Sequence, residues 1–170
     1  AVGIGCSDLR FTFEGHPQFA VFPSFAIRWG SAGLQIDRTA VPSSPGPLMI
    51  DAERCIEQLA PLPVPPGIGA DKATTVQVRS RLLAVHPRGK GGAFTEFETE
   101  VLDGAGTVCA RITTGVFQRG VAALGDIAPF EGAGTSRSVK TDVPTRPADV
   151  TVSTRIADNQ AALYRLSGDY

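Results

Sequence analysis

The stretch AFTEFETEVLDGAGTVCARITTGVF, residues 93–117, carries the pattern that decides the fold. Apolar and polar side chains alternate in two runs, one on each side of the loop sequence Asp-Gly-Ala-Gly at 103–106. Such alternation is typical of half-buried β-strands, and Asp-Gly between two alternating runs favours a tight hairpin loop. The stretch therefore predicts an antiparallel hairpin with its loop at 103–106.

The two faces of this hairpin predict its register. One register places Phe97 opposite Ile112 among apolar residues, and it places Glu98 opposite Arg111 on the other face. A slip of one residue would turn the apolar set outward, so this register is self-consistent. We expect Phe97 and Ile112 to be buried, and Glu98 and Arg111 to form a solvent-facing pair.

The segments on either side of the hairpin extend the pattern. Upstream, TTVQVRSRLLAV (74–85) predicts another long strand, which the turn HPRGKGG (86–92) joins to the hairpin. At least three antiparallel strands are therefore expected in succession. Downstream, residues 119–148 lack periodicity and are rich in Gly, Pro, Ser and Thr, which is typical of a linker or a long overhanging connection.

The first half of the chain is less regular. The segment FAVFPSFAIRWG (19–30) is either a short buried helix or a buried strand, and Pro23 near its start with Gly30 at its end favours the helix. Residues 31–47 have the composition of a loop. The segment LMIDAERCIEQLAPLPVPPG (48–67) is either a helix that begins at Asp51 or a strand, and the local pattern is compatible with both.

The last segment, DVTVSTRIADNQAALYRLSGD (149–169), predicts a short strand followed by an amphipathic helix. Thr154 is a suitable N-cap and Gly168 a suitable C-cap residue. The residues predicted to share one side of the helix are Ile156, Gln160, Leu163 and Leu166.

Composition excludes several classes of protein. Sixteen basic and seventeen acidic side chains give a net charge of -1, without a block of like charge, so nucleic acid is not an expected partner. The apolar stretches are short and interrupted by Pro, so no membrane association is expected. Cys6, Cys55 and Cys109 form no C-x-x-C pair and have no His at ligand spacing, which predicts neither a disulfide framework nor a metal site and fits a reducing compartment.

The final residues carry a family resemblance. The stretch NQAALYRLSGDY (159–170) resembles the opening of the hydratase 2 signature in the MaoC-like family, the (3R)-specific 2-enoyl-CoA hydratases. Further stretches occur in the same order as in the N-terminal half of the two-repeat members of this family, including the hydratase region of peroxisomal multifunctional enzymes. They are AVGIG (1–5), DLRFTFEGH (8–16), FPSFAIRWG (22–30), CIEQLAPLPVPPG (55–67) and RGKGGAF (88–94).

The resemblance implies an α+β hot-dog fold, in which an antiparallel sheet wraps around a central helix. Residues 1–145 would be the N-terminal repeat with its linker, and 146–170 would be the beginning of a second repeat. Residues 48–59 would then be a strand and 21–30 a short central helix. The chain is expected to be a piece that ends inside the catalytic motif, from a homodimer or a hetero-oligomer of hot-dog repeats.

The resemblance also implies a reaction, the hydration of an enoyl-CoA thioester. This reaction needs a base for water, an acid for the α carbon and donors for the thioester oxygen. By resemblance, Asp169 is the carboxylate that activates water, and its partner His is expected beyond Tyr170. Without the resemblance, Asp169 is more simply a polar residue after a helix. No cofactor is expected, since coenzyme A enters as part of the substrate.

Other candidate residues concern binding of the substrate. Phe22, Phe25 and Trp29, with Ile27 beside them, are candidates for an acyl pocket, although such an apolar stripe is more often ordinary core.

The turn 86–92 is a candidate for contacts with the CoA phosphates. Arg88 and Lys90 supply cations there and the glycines allow close backbone approach, while a solvated hairpin turn is the simpler alternative. His16 and His86 are expected to be loop histidines.

Two functions of different classes follow. The first is an enzyme that reversibly hydrates trans-2-enoyl-CoA to (3R)-3-hydroxyacyl-CoA in the β-oxidation of fatty acids or steroid side chains. The second is a non-catalytic half that binds acyl thioesters or serves as a scaffold. A cytoplasmic location is expected in a bacterium and a peroxisomal one in a eukaryote.

Overall fold

The computed structural model describes residues 7–29, 41–44, 46–66, 73–88, 91–121, 130–131, 138 and 142–167. The chain divides into two compact units. One unit is Val21–Ser138, and the other combines Ala1–Ala20 with Val139–Tyr170.

The larger unit is built on one antiparallel sheet. Its strands are β1 (Met49–Gln58), β2 (Gln77–Pro87), β3 (Gly92–Leu102), β4 (Val108–Arg119) and β5 (Phe130–Glu131), in the order β1-β4-β3-β2-β5. The predicted succession of three strands is confirmed in β2, β3 and β4. The segment that was compatible with a helix or a strand forms β1, as the resemblance implied.

A short 3₁₀-helix, Pro23–Trp29, packs against β1, β3 and β4. The helix predicted for this apolar segment is confirmed and begins at Pro23, whose fixed φ suits a first helical position. Its predicted burial is wrong, because Ala26 is its only buried residue. A second 3₁₀-turn, Gly46–Leu48, leads into β1.

The loop of the central hairpin is closed by Asp103. Its amide donates to the carbonyl of Thr107 at 3.0 Å, and its Oδ1 accepts from the amides of Ala105 at 2.9 Å and Thr107 at 2.8 Å. Gly106 has a φ of 87°, which favours glycine. These hydrogen bonds hold the pKa of Asp103 below its usual range, with the Thr107 amide as the largest cause. The predicted position of the loop is confirmed, but its predicted length is wrong, because Leu102 pairs with Val108 and residues 103–107 rather than 103–106 lie between the strands.

The predicted hairpin register is wrong by two residues. Ile112 pairs with Thr99 rather than with Phe97, and the register shifts between Val101 and Leu102. An even shift preserves the faces of the strands, because side chains alternate with a period of two. Phe97 and Ile112 accordingly share one face and are buried, with 8% and 0% exposed.

The predicted exposure of Glu98 is also wrong, since its side chain is 3% exposed. Arg81 on β2 lies 2.6 Å from one carboxylate oxygen, and Arg111 Nε on β4 lies 3.6 Å from the other. Glu98 and Arg111 are thus cross-strand neighbours on a diagonal. The long Arg side chains on both flanking strands cover the carboxylate, an effect that the pattern of one hairpin does not contain.

The two faces of the sheet differ in character. On the helix face, the one against which the 3₁₀-helix packs, Val101, Ala110 and Ile112 join Ala26 in an apolar cluster. On the polar face, the opposite one, β3 presents Glu96, Glu98 and Glu100 in alternation. The core of this unit therefore lies between the sheet and the 3₁₀-helix.

The smaller unit contains two short helices, α1 (Leu9–Thr12) and α2 (Gln160–Ser167). The N-cap prediction at Thr154 is wrong, because residues 151–157 form neither strand nor helix and α2 begins only at Gln160. A turn at 158–159 starts the helix, with the Gln160 amide donating to the carbonyl of Ala157 at 2.9 Å. The C-cap prediction at Gly168 lies outside the described residues.

The described part of the long connection after β4 is attached to the sheet. Its strand β5 pairs with β2 through Ala84 and Val85, a pairing that the sequence did not predict. None of the helices in the described ranges has both the length and the apolarity needed to cross a bilayer.

Candidate functional site

The predicted aromatic residues lie on and just before the 3₁₀-helix. The rings of Phe25 and Trp29 meet edge to face, with centroids 5.2 Å apart and an interplanar angle of 82°. Trp29 is half-buried and packs against the apolar cluster, whereas Phe25 is 47% exposed. Phe22 precedes the helix, and its carbonyl accepts from the Phe25 amide at 2.8 Å. The rings of Phe25 and Trp29 are thus brought together beside the apolar cluster, and Phe22 adjoins them in the chain.

Arg88 lies elsewhere in the same unit. Its guanidinium carbon is 5.6 Å from the centroid of the Phe94 ring, which is within range of a cation–π interaction. The Phe94 ring covers Gly115 on the polar face, where an added Cβ would lie 2.4 Å from the ring. Arg88 and Trp29 are therefore on opposite faces of the sheet. Asp169 and Lys90, the other predicted site residues, lie outside the described residues.

The interpretation of His86 as a loop histidine is wrong. His86 is in β2, and its Nε2 lies 2.7 Å from Oε2 of Glu96, a side chain with only 2% exposed. Burying a carboxylate requires hydrogen-bonding partners, and His86 supplies one of them. His16 does lie in a turn, where its Nδ1 accepts from the Gln18 amide at 3.0 Å.

Sequence reasoning missed a polar cluster around Glu96. The Ser138 amide donates to Glu96 Oε1 at 3.0 Å, and the Ser138 hydroxyl donates to Glu53 Oε1 at 2.9 Å. Ser138 thus links β1 and β3 across the polar face. A shallow pocket at this place is lined by Glu53, Arg54, Cys55, Glu96, Thr113, Gly115 and Ser138. The sequence feature that could have predicted this cluster is the alternation of Glu at 96, 98 and 100, in a strand whose other residues are apolar or Thr.

A second charged group continues along the polar face. Arg111 lies 3.2 Å from Glu57 and 3.3 Å from Glu100, and Arg79 lies 3.0 Å from Glu100. The hydrogen bond with Glu100 is the largest cause that raises the pKa of Arg111. Acidic and basic side chains thus alternate across neighbouring strands. Opposite charges therefore face each other, which stabilises the strand pairing and avoids a patch of like charge.

The described residues contain no group of His, Cys, Asp and Glu that could hold a metal ion. Cys55 is an exposed free thiol, whereas Cys109 is buried and burial raises its pKa. Cys6 lies outside the described residues.

Known proteins resemble both the sequence and this fold. The whole chain aligns with a probable dehydratase of Ajellomyces capsulatus at 30% identity and covers 48% of that protein. It also aligns with the peroxisomal enoyl-CoA hydratase 2 of Arabidopsis thaliana at 28% identity and covers 57% of it. The crystal structure of a MaoC-like dehydratase from Phytophthora capsici matches all of the chain and 56% of that protein, with a TM-score of 0.64 and 27% identity.

Over its whole length the chain is thus similar to proteins named as hydratases and as MaoC-like dehydratases. Its fold is the α+β hot-dog fold that the resemblance implied, with the short helix packed against the sheet. No protein-family model matches the chain. The chain spans about half the length of these relatives.

Proposed function

We propose that this chain is the acyl-binding repeat, with the start of the catalytic repeat, of a (3R)-specific 2-enoyl-CoA hydratase. The observation that carries the proposal is the match of the whole chain to relatives named as hydratases and dehydratases. The proposed reaction is the reversible addition of water to trans-2-enoyl-CoA in β-oxidation, in the peroxisome if the source is a eukaryote.

The chemical step is assigned to Asp169. An Asp has an unperturbed pKa of about 3.9, so the carboxylate would be ionised at neutral pH and would accept a proton from water. The water oxygen would then attack C3, and the partner His, expected after Tyr170, would protonate C2. This step needs no cofactor, because side chains supply both the acid and the base.

Binding is assigned to the larger unit. The acyl chain would contact Phe22, Phe25 and Trp29 at the edge of the helix face. The exposure of Phe25 supports this assignment, because an exposed ring is accessible to a ligand. Arg88 and Lys90 would bind the CoA phosphates. Arg88 stacks on the Phe94 ring on the polar face, whereas the aromatic residues lie on the helix face. A thioester that contacted both would therefore pass around an edge of the sheet. The protein would act as a homodimer or as a hetero-oligomer of hot-dog repeats.

The test uses the intact protein with crotonyl-CoA and trans-2-decenoyl-CoA. We expect the (3R)-hydroxy thioester as product on a chiral column. Asp169→Asn should lower kcat by about 100- to 10,000-fold, because the shape is kept and the anion is lost, with little change in KM. Asp158→Asn, which alters an exposed acid in the same segment, is the matched control and should keep kcat.

Two results would contradict the proposal. The first is a (3S) product from the wild-type protein, and the second is a near-normal kcat in Asp169→Asn. Tight binding of acyl-CoA without any turnover would favour the scaffold function instead.

A further inference from the structure

The core on the helix face is divided into two apolar clusters. The first contains Val101, Ala110 and Ile112 near the hairpin loop. The second contains Val85, Ala93 and Val121 at the other end of the strands. Between them the same face carries Phe97, Thr95, Thr114 and Val116. The middle of the core therefore contains threonine hydroxyls, at Thr95 and Thr114, beside its apolar side chains.

One hydroxyl in this middle section has no partner among the described residues. Thr114 is 8% exposed, and its Oγ1 is buried without a hydrogen bond to any residue that the structure describes. The neighbouring threonines differ, because Thr99 Oγ1 is 2.8 Å from Ser80 Oγ and Thr95 Oγ1 donates to the carbonyl of Val116 at 3.3 Å. Buried hydroxyls without a partner are rare and destabilising, so an orphan needs an explanation.

The surroundings of Thr114 point to a ligand. Two residues before it on the same face is Ile112, which packs with the 3₁₀-helix, and directly opposite it on β1 is Arg54. The Arg54 side chain is 30% exposed and pairs with Asp51 at 2.6 Å, and Val116 is only half-buried. The hydroxyl thus lies where the apolar cluster ends and the polar, accessible edge of the face begins.

We propose that Thr114 is a specificity-determining residue whose Oγ1 hydrogen-bonds an uncharged oxygen substituent on the buried part of the acyl group. This inference rests on the proposed function, because it needs an acyl thioester on the helix face. A threonine hydroxyl both donates and accepts, so it suits an alcohol or a ketone. A site with a buried hydrogen-bonding group discriminates against ligands that lack the matching group, since the protein group is then left unpaired.

The experiment measures binding to the intact protein by calorimetry. The probes are decanoyl-CoA and a series of hydroxydecanoyl-CoA isomers with the hydroxyl at successive positions beyond C4. At least one isomer should bind the wild-type protein more tightly than decanoyl-CoA. Thr114→Val, which keeps the shape and removes the hydroxyl, should abolish that preference, about tenfold in Kd for one hydrogen bond, and leave decanoyl-CoA within about twofold.

Two further variants serve as controls. Thr114→Ser keeps a hydroxyl and should restore the preference. Thr99→Val removes a hydroxyl that is already bonded to Ser80, so it should keep the preference and lower the melting temperature. Without ligand, Thr114→Val should melt at or above the wild-type temperature, because it removes an unpaired polar group.

The outcomes separate this inference from the proposed function. If the wild-type protein binds none of the thioesters, both fail. If it binds decanoyl-CoA but prefers no isomer, or if Thr114→Val keeps the preference, only the role of Thr114 is overturned. A lower melting temperature of Thr114→Val would also overturn it, because the hydroxyl would then have a partner within the protein.

Discussion

At the residue scale, Gly115 shows how the polar face is assembled. A Cβ at this position would lie 2.4 Å from Cζ of Phe94 and 3.3 Å from Cβ of Glu53. Glycine therefore lets the Phe94 ring lie flat across β4, where Arg88 stacks on it. The absence of a side chain at one position thus fixes the place of an aromatic ring and a cation.

Gly115→Ala should destabilise the protein by about 1–3 kcal/mol, because the Phe94 ring must move out of a packed position. Denaturant unfolding measures the difference. Gly91→Ala is the matched control, since a Cβ there would meet nothing within 4 Å, and it should change stability little. Equal stability of Gly115→Ala and wild type would show that the ring does not lie against β4.

At the element scale, the hairpin loop depends on the ionised form of Asp103. The amides of Thr107 and Ala105 hold the pKa of this carboxyl below its usual range. A depressed folded-state pKa contributes stability above the unfolded pKa, and this contribution is lost as pH falls through the folded value.

Asp103→Asn keeps one acceptor oxygen but cannot ionise. We expect it to be less stable than the wild type at neutral pH, and we expect the difference to shrink as pH falls below the usual range of a carboxyl. Unfolding free energies measured in parallel from neutral to acid pH give this difference. A gap that stays constant with pH would show that ionisation of Asp103 does not stabilise the loop.

At the scale of the whole molecule, the two units have different degrees of packing. The larger unit contains both apolar clusters. In the smaller unit the described segment 142–166 leaves large apolar side chains exposed. They are Val143, Val150, Val152, Ile156, Tyr164 and Leu166, with 63–86% of each exposed. The described part of the smaller unit therefore buries few of its large apolar side chains.

A protein of residues 1–170 alone should show no hydratase activity with crotonyl-CoA, even when it folds. The proposed mechanism pairs Asp169 with a partner His that is expected after Tyr170, and this protein would lack that His. Absorbance at the enoyl thioester band measures turnover, and the intact protein is the positive control. Turnover by residues 1–170 would refute the assignment of the catalytic pair.

The sequence by itself determined the elements whose cause is local. The alternation in 93–117 was sufficient for the strands, their faces and the position of the loop between them, because side-chain direction in a strand has a strict period of two. The motif 159–170 was sufficient for the resemblance to hydratases, which the similarity of the whole chain to proteins with such names supports. The placement of Asp169 in a site stays a prediction.

The tertiary structure decided what depends on residues distant in the chain. The hairpin register follows from one extra loop residue and from a one-residue shift between Val101 and Leu102. No periodicity records them, since together they shift the register by two residues and leave the faces unchanged. The burial of Glu98 depends on Arg81, 17 positions away, and the link to Ser138 spans 42 positions from Glu96. A local pattern encodes which way a side chain points, but only the assembled sheet brings together the charges that make a buried carboxylate stable.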